Sequence, residues 1–387
     1  MFSLLLTIIY ISFISLGLPD SLLGSAWPIM YQELNVPLSW SGIIFFICSV
    51  GTVISSLASD YLTKKFRAGR VTAISVMMTA VAMIGYSYCK SFLGLCLWSI
   101  PYGLGAGSVD AALNNYVALH FESRHMSWLH CMWGVGASIG PYIMSYALLN
   151  TGRWNFGYSS IGYMQLGLSI IIMCSVPLWL KKEKEDRNEG EVEETEPMPL
   201  SKVVSIPGAK EIMIAFFCYC AMEQTVCLWA SSYLVFNRGM QEVVATSFAS
   251  LFYLGITAGR AINGFLTYKF SDKQLIYMGE TIIAAGIGLL LIPEVEIFAL
   301  VGFALIGIGC APIYPCIIHS TPEHFGKENS QAMVGVQMAS AYVGISLMPP
   351  LFGFLSKALN ISILPIYLLI ILIIEHLMYK KVISIKR

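Results

Sequence analysis

Long apolar stretches recur along almost the whole chain, and most exceed the length of a helix in the core of a soluble domain. A helix needs about 20 mostly apolar residues to cross a bilayer. Twelve stretches meet this length: residues 3–30, 39–61, 71–90, 93–119, 127–149, 158–180, 210–236, 243–268, 274–293, 296–320, 329–354 and 359–379. The pattern therefore predicts an all-α membrane protein with twelve transmembrane helices.

One polar segment interrupts this pattern near the middle of the chain. Residues 181–209 begin KKEKEDRNEGEVEETEPMPLSK, a charged run without hydrophobic periodicity, which is typical of a solvated linker. The segment separates six predicted spans from six. We therefore expect an N-terminal six-helix bundle over residues 1–180, a cytoplasmic linker over 181–209 and a C-terminal six-helix bundle over 210–387.

The composition supports a membrane protein and excludes several soluble classes. Of 387 residues, 56% are hydrophobic and only 12% are charged, whereas about 25% of a typical soluble protein is charged. The zero net charge gives no reason to expect a nucleic-acid partner. The sequence shows neither a phosphate-binding Walker loop nor metal-ligand spacing of His, Cys and Asp, so we expect no enzyme activity, cofactor or metal.

The basic residues indicate an orientation. With the N-terminus inside, eighteen of the 23 basic residues face the cytoplasm, and only Lys90, Arg153, Arg238 and Lys357 face outward. Cytoplasmic loops of membrane proteins are enriched in Lys and Arg. We therefore expect a multi-pass protein of the plasma membrane or bacterial inner membrane, with both termini in the cytoplasm.

The two halves of the chain resemble each other at an offset of 204 residues. Gly51 aligns with Gly255, Gly103 with Gly307, and the segment Leu62–Phe66 with Leu266–Phe270 at four of five positions. Two parallel six-helix repeats resemble the architecture of major facilitator transporters, whose solute site lies near the midplane at the repeat interface.

A charged turn after the second span strengthens this resemblance. The sequence Ser56-Leu-Ala-Ser-Asp60-Tyr-Leu-Thr-Lys64-Lys65 is similar to the cytoplasmic loop signature of that superfamily. An acid there can pair with nearby bases or with a helix N-terminus. We therefore predict a cytoplasmic gate of Asp60, Lys64 and Lys65, with Arg260 of the eighth span; the alternative is an ordinary interfacial charge cluster.

Three carboxyl groups lie within predicted spans, where an ionisable group is costly. They are Asp20 in the first span, Asp110 in the fourth and Glu223 in the seventh, and none has an opposite charge three or four residues away. A carboxyl that loses water favours its protonated form, so such groups can carry protons. The alternative is a structural acid bonded by Ser, Asn or backbone. Glu280 and Glu375 are expected to reach the interface by snorkelling.

The positions of these acids resemble those of fucose permease-type sugar:proton symporters. Span 7 with Glu223, Trp229 and Tyr233, and span 10 with Gly307-Ile-Gly-Cys-Ala-Pro312-Ile-Tyr314-Pro315, are similar to that group as well. The resemblance implies proton coupling through Asp20 and Asp110. The fourth-span acid of that group is Glu, so Asp110 is one methylene shorter.

A sugar offers hydroxyls to amides and carboxylates and apolar faces to aromatic rings. The solute-binding candidates are Asn114, Asn115, Glu223, Gln224, Trp229, Tyr233, His130, Trp133, Gln337 and Tyr314. For most aromatic residues in spans, packing is the alternative to solute binding.

The sequence thus predicts a monomeric secondary active transporter that couples a sugar or similar small polar solute to protons by alternating access. Na⁺ is an alternative coupling ion. An exporter of amphiphilic compounds on the same fold and a non-transporting membrane sensor are the alternative functions.

Overall fold

The computed structural model describes residues 4–188, 196–292 and 296–385, without the side chains of 187–188, 242–244 and 246–251. Predictions for residues 189–195 of the linker and for Lys386 and Arg387 lie outside the described residues. Within these ranges the chain is helical, with no strand.

Twelve long helices correspond to the twelve predicted spans. They are α1 Leu4–Glu33, α2 Ser41–Leu57, α3 Ala68–Tyr88, α4 Phe92–His120, α5 Ser123–Thr151, α6 Trp154–Asn188, α7 Ala209–Arg238, α8 Glu242–Leu266, α9 Asp272–Leu290, α10 Glu296–His319, α11 Ser330–Ala358 and α12 Leu364–Ser384. Among the described helices, nine are long and apolar enough to cross a membrane; α5, α8 and α9 are the three long ones outside that set. The all-α membrane fold is confirmed.

Helix α1 is interrupted at Ser21, directly after the first predicted proton-coupling residue. Pro19 lacks an N–H and so cannot bond the carbonyl of Ser15 one turn earlier. The amide of Gln165 on α6 donates to that carbonyl at 2.8 Å. The break therefore places Asp20 at the end of the helical segment Leu4–Asp20, and a neighbouring helix satisfies the freed backbone group.

The charged segment after α6 is more helical than its sequence suggested. Helix α6 continues to Asn188, where Lys182 pairs with Asp186 at 2.8 Å across one turn. A short helix, Leu200–Ser205, precedes α7. Charged pairs one turn apart stabilise a helix in water, so this helix can continue beyond the apolar stretch that begins it.

Contacts divide the chain into two compact units. The first contains Met1–His120, Leu129–Met198 and Lys327–Gly335; the second contains Phe121–Trp128, Pro199–Gly326 and Val336–Arg387. The first unit holds α1–α4, α6 and most of α5, and the second holds α7–α10, α12 and most of α11.

Both units contain the same close helix contacts. A Cβ at Gly103 would lie 2.4 Å from the Cys48 carbonyl oxygen, and one at Gly307 would lie 2.3 Å from that of Phe252. These positions correspond under the 204-residue offset. Glycine is required at both sites because any side chain would overlap the facing backbone, as in other close helix pairs in membranes.

Candidate functional site

Asp20 lies at the meeting point of three helices in the first unit and is exposed. The Tyr102 hydroxyl of α4 donates to Asp20 Oδ1 at 2.9 Å, and the Trp133 indole of α5 donates to Oδ2 at 2.9 Å. Each carboxylate oxygen thus receives a directed hydrogen bond, while the group stays accessible. The structure brings together the predicted residues Asp20 and Trp133.

Asp110 lies deeper in the same unit, with 6% of its surface exposed. Asn114, one turn later on α4, donates to Asp110 Oδ1 at 2.8 Å. His130 Nε2 on α5 lies 2.9 Å from Asn114 Oδ1 and is the donor, because that amide oxygen can only accept. Three predicted residues therefore form one buried hydrogen-bonded chain between α4 and α5.

Helix α4 contributes a residue to each of the two carboxyl clusters of the first unit. Tyr102 and Asp110 are eight residues apart, which corresponds to about two helical turns and about 12 Å along the axis. The two positions are about 80° apart around the helix, so α4 contacts the exposed carboxyl through Tyr102 and carries the buried carboxyl of Asp110.

Glu223 forms the corresponding polar cluster of the second unit. The Tyr219 hydroxyl on α7 lies within hydrogen-bonding distance of both the Glu223 carboxylate and the Cys310 carbonyl oxygen on α10, the latter at 2.9 Å, and its single proton is donated to one of them at a time. Arg260 of α8, which is 3% exposed, lies 3.5 Å from the Glu223 carboxylate. The structure thus joins Arg260, a predicted gate residue, to a predicted solute residue.

Most of the remaining solute candidates of the second unit are hydrogen-bonded to neighbouring helices. The Trp229 indole donates to the Pro349 carbonyl at 3.0 Å, and the Tyr233 hydroxyl donates to the Leu290 carbonyl at 3.0 Å. Tyr314 donates to the Met338 sulfur at 3.1 Å, whereas Gln224 is half-buried.

Gln337 is fully buried on α11. Its Oε1 accepts from Thr321 at 3.1 Å, and its Nε2 has no hydrogen-bond partner among the described residues.

The predicted gate residues of the first unit lie together beside the linker. Lys64 pairs with Asp60 at 2.9 Å and donates to the Glu196 carbonyl oxygen at 3.0 Å, while Asp60 accepts from the Met198 backbone N–H at 2.8 Å. Lys65 instead donates to the Tyr61 hydroxyl at 2.8 Å. The pair therefore fastens residues 196–198 to the short helix Ser59–Phe66 that follows α2.

A cavity of about 750 Å³ opens beside this cluster, lined by Lys64, Lys65, Arg67, Lys327 and Glu328 among others. Asn115 also lines the cavity and accepts a hydrogen bond from Ser330. Asn115 therefore lies apart from the chain formed by its neighbour Asn114, although the two are adjacent in sequence.

The expectation that Glu280 and Glu375 snorkel to the interface is wrong. Glu280 is 5% exposed and Glu375 is fully buried. Glu375 shares the buried face of α12 with Leu368, Leu372 and Tyr379. Glu280 lies on α9 among the buried residues Ile276 and Ile283.

Two residues that the sequence did not single out complete the clusters. Tyr102 lies two turns before Asp110, and Tyr219 lies one turn before Glu223. The one-turn spacing of Tyr219 and Glu223 could have identified that tyrosine. Tyr102 bonds Asp20 of another helix, and no spacing along the chain indicates that contact. The pairing of Arg260 with Glu223 joins separate helices, so no spacing along the chain indicated it.

The fold and these intramembrane carboxyl clusters define a class of polytopic membrane transporters. The model of the Major Facilitator Superfamily matches residues 9–280 and 212–383, so the chain belongs to this superfamily. The recognition made from the repeat and the loop motif is confirmed.

Several known proteins are similar over most of their length. Bypass of stop codon protein 6 of Saccharomyces cerevisiae is 23% identical, covering 92% of this chain and 78% of that protein. The glucose/mannose transporter GlcP of Bacillus subtilis is 22% identical, with 79% and 77% covered.

Among solved structures, FucP in its outward conformation matches with a TM-score of 0.75 at 13% identity, covering 97% of this chain and 98% of that one. The Escherichia coli fucose:proton symporter FucP matches with a TM-score of 0.69 at 15% identity, with 96% and 98% covered. At these identities the likeness shows the fold alone.

Proposed function

We propose that this transporter moves a sugar or similar small polar solute together with protons by alternating access, using the six-plus-six division of the chain around its linker. The observation that carries the proposal is the arrangement along α4, where one carboxyl is exposed and another is buried in a hydrogen-bonded chain. Asp20 exchanges protons with water, and Asp110 holds a negative charge or a proton away from water.

The surroundings of Asp20 suit a sugar. A carboxylate accepts hydrogen bonds from hydroxyl groups, and the Tyr102 and Trp133 rings beside it offer apolar surface for a sugar ring. A solute that binds there competes with the two ring donors for the same oxygens, so solute and proton occupancy are linked at one carboxyl. GlcP and FucP, whose names include sugars, support this substrate class.

The buried chain suits a coupling group. Asp110 is bonded by an amide that is itself bonded by an imidazole. A change in the hydrogen bonding of His130 is therefore transmitted to Asp110 through Asn114. Glu223 with Arg260 supplies a second polar cluster for the solute in the other unit.

Reconstitution tests the proposal. Purified protein in liposomes with an acidic exterior should accumulate at least one labelled monosaccharide from a panel above its equilibrium level. A protonophore should abolish the accumulation. Accumulation that follows a Na⁺ gradient and ignores the pH gradient would contradict proton coupling, and a panel without uptake beside export of amphiphilic dyes would contradict the solute class.

A further inference from the structure

Two buried carboxyl groups lie on neighbouring helices of the second unit, and neither is among the residues proposed for solute binding or proton coupling. Glu280 lies on α9 with 5% of its surface exposed, and Glu375 lies on α12 and is fully buried. The side chains of the two glutamates interact across the contact between α9 and α12. His376 Nδ1 lies 2.6 Å from Glu280 Oε2.

The donors around this pair are too few for two carboxylates. Among the described residues, neither oxygen of Glu375 receives a hydrogen bond, and Glu280 Oε1 receives none. The Tyr379 hydroxyl is buried without a partner as well. A carboxylate can only accept, whereas a carboxylic acid donates one O–H. A contact between two carboxyls therefore requires a proton on one of them.

No charge near the pair replaces that proton. The titratable groups that interact with the two carboxyls are Tyr277 on α9, His376 and Tyr379 on α12, Cys218 on α7 and Cys310 on α10. Only the imidazole can carry a positive charge, and it is engaged by Glu280. Two adjacent carboxyls in a dry site do not both ionise at neutral pH.

We propose that Glu280 and Glu375 form a proton-binding site that holds one shared proton in the folded protein. The proton bridges α9 and α12, and the half-exposed imidazole of His376 connects the site to the outside of the bundle. Loss of the proton places like charges on facing helices and loosens their contact. This site is separate from Asp20 and Asp110, and it requires neither a solute nor a transport cycle.

Thermal unfolding of the purified full-length protein in detergent, followed from about pH 5 to about pH 9, tests the site. The folded pair keeps a proton that the unfolded glutamates release, so unfolding releases a proton and stability falls as pH rises. In Glu375→Gln the amide donates to Glu280 without a proton, so this fall should be clearly smaller than in the wild type.

A matched control is an ion-paired glutamate that also contacts α12. Glu211 of α7 pairs with Lys381 of α12 at 2.7 Å. Glu211→Gln should keep the pH-dependent fall of the wild type. Equal pH dependence of the wild type and Glu375→Gln would overturn the proposal.

Infrared spectroscopy provides a second measurement if Glu375→Gln does not fold. The wild type at neutral pH should show the C=O stretch of a protonated carboxyl, which Glu280→Gln should reduce and Glu211→Gln should retain. If the Glu280→Gln variant shows the same protonated-carboxyl C=O stretch as the wild type, the proposal is overturned. So would stabilisation at alkaline pH by NaCl beyond that by choline chloride, because the site would then bind Na⁺.

Discussion

Asp20 and Asp110 interrupt apolar helices of the same unit but differ in their access to water. Asp20 is exposed and is bonded by two aromatic side chains, whereas Asp110 is buried and is bonded by an amide. An ionisable group in a span is costly unless it meets water or a partner. The two residues satisfy this requirement in opposite ways, as the proposed roles of Asp20 in proton exchange and of Asp110 in holding a proton require.

The Asn114 amide links a buried acid to a buried imidazole, and its removal should be costly. In Asn114→Leu, both Asp110 and His130 lose a hydrogen bond that water does not replace, because the site is buried. This loss should cost about 1–3 kcal/mol of stability. The melting temperature of the purified protein measures this loss.

Asn150 is the matched control, because it is exposed and bonds only its own helix, at the Tyr146 carbonyl. Asn150→Leu should leave the melting temperature nearly unchanged. Equal melting temperatures for Asn114→Leu and the wild type would show that the buried chain contributes nothing to stability.

At the element scale, close packing of glycine faces recurs in both units. A Cβ at Gly105 would lie 2.7 Å from the Ser75 carbonyl oxygen, and one at Gly309 would lie 2.6 Å from that of Gly279. The pairs correspond under the offset that aligns the two halves. The helix α4 that carries Asp110 is thus fixed against its neighbours by backbone contact, which keeps the polar chain in register.

Alanine at these faces should separate the helices. Gly103→Ala and Gly307→Ala each place a methyl group against a facing carbonyl, and overpacking of this kind should cost about 1–3 kcal/mol. Gly167 on α6 and Gly288 on α9 have no atoms within 4 Å of an added Cβ. Alanine there should be neutral or stabilise the helix by up to about 1 kcal/mol.

Thermal unfolding of the four variants decides between packing and helix propensity. The account requires both Gly103→Ala and Gly307→Ala to melt below the wild type while Gly167→Ala and Gly288→Ala do not. The same change in all four melting temperatures would contradict it.

At the scale of the whole molecule, the sequence was most informative about the helices. Lipid forces each spanning segment to satisfy its own backbone, so apolar length alone located all twelve helices. The repeat of Gly103 at Gly307 was likewise visible along the chain. The contact between Gln165 and the Ser15 carbonyl and the pairing of Arg260 with Glu223 join distant segments, so only the folded chain reveals them.

The acids likewise divide into those that the sequence identifies and those that only the folded chain explains. A carboxyl inside a span stands out in the sequence, which is how Asp20, Asp110 and Glu223 were selected. Glu280 and Glu375 lie near the ends of their spans, where a side chain can either reach the membrane interface or be buried between helices. The packing of α12 against α9, which brings Tyr277 of α9 within 5.6 Å of the His376 ring, decides for burial.

The central claim is that the carboxyls of Asp20 and Asp110 couple solute movement to protons. The most direct measurement compares two activities of reconstituted wild type, Asp20→Asn and Asp110→Asn with a monosaccharide that the wild type accumulates. These activities are accumulation driven by a pH gradient and exchange without a gradient. The account predicts that Asp110→Asn loses accumulation and retains exchange, and that Asp20→Asn loses accumulation. Gradient-driven accumulation at the wild-type level in both variants would contradict it.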